Sequence, residues 1–199
     1  VTGDTWRFLD DGTDQGTAWR EVSYDDSTWD SGPSQLGYGD GDEAKLVGFI
    51  DTDPGTNGTQ KNATTYFRTT VDITDPSIFG DFSLNYLYDD GTVVYVNGAE
   101  VARENLPLAP AYNQFATGTD GDNATKTITL APNMFLSGTN TIAVEVHQDG
   151  AVSSDISFDL TLTGNPPGGS GTHSSAPIVI TEPGWLFSRS YNSVTGEWS

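Results

Sequence analysis

Seven segments of this chain alternate apolar with polar side chains at a period of two: 65–73 (TYFRTTVDI), 82–88, 92–96, 100–103, 126–130, 141–147 and 156–162. That period sends successive side chains to opposite faces of an extended backbone, so it calls for β-strands rather than amphipathic helices. Segments 5–9 and 19–22 repeat the pattern more weakly, which brings the expectation to eight or nine strands. Turn residues separate them at short intervals, the habit of a sandwich or barrel. Asn97-Gly98 suits a type I′ turn, where both central residues need positive φ, and predicts a hairpin over 93–103. Asp89-Asp90-Gly91 predicts a similar turn from 82–88 into 92–96, and residues 39–62 read as one long loop. The fold expected is an all-β, antiparallel β-sandwich.

The composition agrees: 23 Gly and 10 Pro supply turns. The length of 199 residues suits one such domain with a short appendage. At residue 164 the text changes to GNPPGGSGTHSS, which has the makeup of a linker. The division expected is a sandwich over 1–164, a Pro/Gly/Ser linker over 165–176, and a short β-hairpin tail over 177–199, with strands at 176–181 and 185–191. Two strands alone are marginal in water, so this tail is expected to pack on the main domain or to self-associate with a neighbouring copy.

Charge narrows the partners. Against 28 Asp+Glu stand 8 Lys+Arg, a net charge of −20, with no basic cluster to meet a phosphate backbone. Nucleic acid and anionic membrane are therefore poor partners, and no apolar run approaches the ~20 residues of a membrane span. The absence of Cys removes disulfides and thiolate metal sites. Val1 reads as a mature or trimmed start, since no basic and apolar leader precedes it. The composition, rich in turn residues and β-formers and poor in Lys, Glu and Leu, reads as that of an extracellular β protein.

Catalysis finds little footing. With no Cys, and with His147 ending a strand and His173 in the linker, neither a nucleophile triad nor a His-rich metal site assembles. The GYGDG of 37–41 precedes no helix, which argues against a phosphate cradle. Calcium is better served, because hard cations take six to eight oxygens from Asp-rich and Gly-rich loops. Asp40, Asp42 and Glu43 form the densest such group, although an Asp-Gly loop can equally be a solvated turn. A carbohydrate ligand would stack on an aromatic ring while polar groups hold its hydroxyls. Trp6, Trp19, Trp29, Phe67 and Phe158 are better suited to the core, which leaves Tyr38 and Tyr112 in their loops as the surface aromatics. Arg103 and His147, at strand ends, are the polar candidates. Asn57, Asn62 and Asn123 begin Asn-X-Thr sequons.

In order along the chain, DDGTDQGTAWR, YDDSTWDSGPSQLGYGDGDE, TTYFRTTVDI, YDDGTVVYVNGAEVARENLP, GTNTIAVEVHQ and SSDISFDLTLTG resemble a galactose-binding-like jelly-roll module of large secreted multimodular bacterial proteins. The resemblance covers residues 6–164. It implies a non-catalytic accessory role with carbohydrate as the ligand class. It also implies loop positions for structural calcium at 37–43 with Ser154 and Asp155, which adds Asp155 to the metal candidates. The tail PIVITEP…SRSYNSVTGEWS is similar to part of a chitobiase C-terminal, Ig-like domain whose front strands are missing.

Overall fold

The computed structural model describes residues 3–49, 61–118 and 123–167, together with the backbone of 191–192 and 197–198. The chain divides into two units, residues 1–168 and 169–199. In the first, eleven strands run in order: β1 (Thr5–Leu9), β2 (Asp30–Pro33), β3 (Leu36–Tyr38), β4 (Lys45–Leu46), β5 (Thr64–Ile73), β6 (Asp81–Asp89), β7 (Gly91–Val96), β8 (Ala99–Glu104), β9 (Ala124–Leu130), β10 (Gly138–His147) and β11 (Ile156–Asn165). A six-stranded sheet has the order β2-β1-β5-β10-β7-β8 and a five-stranded sheet the order β4-β3-β11-β6-β9. All pairings are antiparallel except β3 with β4. The chain is thus an all-β sandwich of jelly-roll type, and among the described residues the only helical elements are three single 3-10 turns.

The alternating segments become strands because one side of each meets the opposite sheet. From the six-stranded sheet Trp6, Phe8, Phe67, Val94, Val96, Ile142, Val144 and Val146 point inward, and Leu84, Tyr86, Tyr88, Ile156, Phe158 and Leu160 meet them from the other. Phe67 stacks on Phe158 at 4.6 Å between ring centres, and Trp6 stands edge-on to Phe158 at 4.9 Å. Asn97 and Gly98 have φ of 50° and 83°, as the predicted hairpin of β7 and β8 requires.

Several expectations are corrected. Residues 19–22 are not a strand: Ala18–Arg20 form a 3-10 turn, which carries the Trp19 indole to a fully buried position. Asp89-Asp90-Gly91 does not close a hairpin, because β6 pairs with β11 and β9 while β7 pairs with β10 and β8. It is the corner at which the chain passes from one sheet to the other. Strands β2 and β3 lie where no strand was expected, and β4 falls within the expected long loop; being two to four residues long, they show too little alternation to read. Of the tail, β12 (Tyr191–Asn192) and β13 (Glu197–Trp198) form an antiparallel pair. The expected strand at 176–181, the expected strand at 185–191 apart from Tyr191, and the packing or self-association of 177–199 fall outside the described residues.

The six-stranded sheet has a second covered face. Tyr66, Val93, Tyr95 and Ala143 point away from the sandwich interior and are roofed by Trp19, Trp29 and Leu106. Trp19 stands edge-on to Tyr66 at 4.8 Å and to Tyr95 at 5.8 Å. Arg68 fastens this roof from below: Nε donates to Asp26 Oδ2 at 2.8 Å, and its terminal nitrogens donate to the carbonyls of Trp19 and Glu21. A fully buried guanidinium is tolerated only when its donors are met in this way.

Candidate functional site

The pairing registers bring Leu9, Tyr38, Thr64, Asp89, Gly91, Glu104, Ala124, His147 and Ile156 to one end of the sandwich. Among the described residues, 10–29, 39–44, 47–49, 61–63, 105–118 and 148–155 lie in connections that leave from there, whereas the opposite end carries 74–80, 131–137 and the short turn at Asn97-Gly98. Long loops borne on a rigid sheet are where binding residues concentrate.

Tyr112 lies in the 105–123 connection and is 40% exposed. Its segment is pinned by the sheet beneath. The Thr64 hydroxyl donates to the Tyr112 carbonyl, and the amide of Ala116 donates to the Gln148 carbonyl at 2.7 Å. His147 Nδ1 lies 2.6 Å from the Gln114 carbonyl, and since a carbonyl only accepts, Nδ1 carries the hydrogen. The backbone that carries Tyr112 is therefore held in place. With Asn113 it forms a ridge between two hollows. One, of about 420 Å³, has Arg20, Tyr66 and Glu145 among its lining residues, with Asp14 and Thr17 at its side. The other, of about 380 Å³, is lined by Lys61, Asn62, Thr64 and Phe115. Both are within the size range of small-ligand sites, and both combine ring edges with polar groups.

Glu145 was not singled out from sequence, and neither was Arg20. Only 2% exposed, Glu145 is the one acid inside β10, on the outward side of the sheet. Its Oε1 accepts from Tyr95 Oη at 2.6 Å and from Arg20 at 3.4 Å, and its Oε2 lies 3.6 Å from His147 Nε2. The Arg20 guanidinium lies 4.1 Å from the centre of the Tyr95 ring. Burial, and then the Glu145 charge, push the Tyr95 hydroxyl far above its ordinary value, so it remains a donor to Glu145. The available signal was a carboxylate set in an apolar strand, which has to find partners when buried.

The remaining candidates scatter. His147 is fully buried, so it supports the ridge from below and is closed to a surface ligand. Arg103 is committed locally: one terminal nitrogen donates to the Pro107 carbonyl and the other grips both oxygens of Glu100. Tyr38 is half-buried at another part of this end; its hydroxyl receives a bond from Gln148, and Lys61 Nζ lies 4.6 Å from its ring centre. Burial pushes that hydroxyl up, with Asp155, Asp90 and Asp89 adding to the effect.

Asp40, Asp42 and Glu43 do come together, with one carboxylate oxygen of each lying within 4.8 Å of the others. Glu43 caps its own turn by accepting from the amides of Asp40 at 2.9 Å and Gly41 at 3.0 Å. Asp40 Oδ2 accepts from Ser157 Oγ and Asn123 Nδ2, each at 2.9 Å. Asp155 is not one of this group. It packs across Gly39, whose φ of 112° and lack of a side chain permit the approach; a Cβ there would fall 2.5 Å from that of Asp155. One oxygen from each of three carboxylates is half or less of the six to eight that calcium takes, so second carboxylate oxygens, carbonyls or water would have to complete the shell.

No family model matches the chain, and no curated protein matches it in sequence. Among solved structures, it is similar to a calcium-binding mutant of Bacteroides uniformis β-glucuronidase 2, at 17% identity and a TM-score of 0.44 over 78% of this chain and 17% of that one. It is also similar to a Bifidobacterium dentium β-glucuronidase, at 12% identity and a TM-score of 0.44 over 73% and 19%, and to a Bacteroides vulgatus β-glycosidase, at 17% and 0.41 over 79% and 19%. The chain spans about a fifth or less of the length of each, and the activities named belong to those longer proteins.

Proposed function

We propose that this chain is a non-catalytic, extracellular carbohydrate-binding module whose ligand lies on the Tyr112 ridge. The observation that carries the reading is one exposed tyrosine, on a segment whose backbone is bonded to the sheet, that lines two polar hollows. Sugars present apolar C–H faces and a belt of hydroxyls, and a ring bordered by amide, hydroxyl and charged groups answers both. A binding rather than a hydrolytic role is favoured by Glu145, whose carboxylate is engaged by Tyr95 and Arg20 and packed beside His147. Calcium at Asp40, Asp42 and Glu43 completes the proposal as a stabiliser of the 39–44 loop.

Affinity electrophoresis through gels cast with different polysaccharides tests it. Retention by at least one neutral polysaccharide, lost in Tyr112→Ala, is the expected result; unretarded migration on all of them overturns it. Isothermal titration of the chelator-treated protein with Ca2+ tests the metal, with Asp42→Asn expected to weaken the heat signal and absence of any heat removing calcium from the proposal.

A further inference from the structure

Resting on that reading, we infer that the ligand is the interior of an uncharged linear polysaccharide, laid across the Tyr112 ridge from one hollow to the other. Three observations converge. The two hollows are similar in volume, about 420 and 380 Å³, and both are bounded by Tyr112 and Asn113. A single sugar would fill one and leave the other wet, while a chain of several units uses both and covers the ring between them.

The ridge is also pinned, as the bonds from Thr64 and His147 to the carbonyls of Tyr112 and Gln114 show. It does not have to fold over a chain end, and a segment whose backbone is already ordered loses less entropy when a ligand stacks on its side chain.

The cations at the site are engaged. Arg20 lies against Glu145 and Tyr95, and Lys61 donates to the Ser153 and Ser154 carbonyls beneath the Tyr38 and Phe49 rings. Among the described residues lining the two hollows no other cation is present to pair with a uronate or sulfate, and the chain as a whole carries −20. Acidic polymers are therefore repelled.

The test is calorimetric titration with cello-, xylo-, manno- and galacto-oligosaccharides of one to six units. In one of these series affinity should climb about tenfold or more between the monosaccharide and the tetrasaccharide. Thr17→Trp and Ala151→Trp, each placed to fill one hollow, should bring the tetrasaccharide down to the affinity of the disaccharide. A monosaccharide that binds as tightly as the tetrasaccharide, or a filled hollow without effect, overturns the chain-spanning ligand but leaves carbohydrate binding standing if Tyr112→Ala still abolishes it. Tighter, salt-sensitive binding of polygalacturonate overturns the uncharged ligand. Failure of every saccharide and polysaccharide to bind overturns both readings. The length series on the unaltered protein decides the outcome even where a tryptophan variant does not fold.

Discussion

The two sheets of the sandwich are built alike inside and differently outside. On the outer face of the five-stranded sheet, Ser83 faces Thr129 and Thr163, and Asn85 faces Thr127 and Thr161. These short polar side chains meet solvent, and Asn85 Nδ2 donates to Thr127 Oγ1 at 2.7 Å. On the outer face of the six-stranded sheet, Tyr66, Arg68, Val93, Tyr95, Ala143, Glu145 and His147 are all buried, beneath segments that include 10–29 and 105–116. An antiparallel sheet needs one covered face for stability. The second covering therefore costs polar burial at Arg68, Glu145 and His147, and in return it holds the ridge and both hollows in place. The candidate site stands on the doubly covered sheet, where side chains are fixed from below.

That contrast is open to direct attack. Trp19→Ala should give the largest effect, destabilising by about 3–5 kcal/mol as cavity-forming changes at buried aromatic residues do, read from denaturant unfolding. Arg68→Leu comes next, at about 3 kcal/mol, because it leaves buried carbonyls and Asp26 without their donor. Either value falling to that of a surface change would mean the second face is not a cooperative part of the fold. Tyr112→Ala should reduce polysaccharide affinity about tenfold or more, as loss of a central aromatic anchor does, while unfolding stays within about 0.5 kcal/mol of the parent.

A smaller, pH-dependent difference is expected at Asp90, on the corner between the sheets. Burial raises its carboxyl above 3.8, although the bond from the Asp149 amide opposes this. A raised folded value favours the protonated acid, so its contribution is complete below 3.8 and is lost as pH rises through the raised value. Asp90→Asn removes that loss, and its stability relative to the parent should improve across this window in unfolding curves taken at stepped pH. Smallest of all, Thr127→Ala on the open face should shift stability by about 0.5 kcal/mol or less; a larger loss would show that this face too is structurally committed.

Much of the inner core was legible from residues alone. Phe67 and Phe158 sit in alternating runs, and each ends in the sandwich interior. Trp19 was legible as a core residue but not as part of a 3-10 turn, because an aromatic in a short, polar stretch fits either. The site was legible only in part. Tyr112 was marked by its Pro/Asn surroundings, whereas Arg20 and Glu145 are 125 positions apart and meet only because a loop folds over a strand. His147 was marked as a polar strand end, and its burial beneath the 111–116 segment has no local trace.

By itself, the order of side chains determined where the long strands run, which of their faces are apolar, that Asn97-Gly98 turns a hairpin, and that the chain is strongly acidic. Each of these is set within a few residues by backbone geometry and solvation. Only the tertiary structure decided that the corner at Asp90 changes sheets, that one sheet is roofed twice, and that two hollows share one tyrosine. Those features depend on contacts between distant segments, for which local periodicity allows many partners and packing selects one.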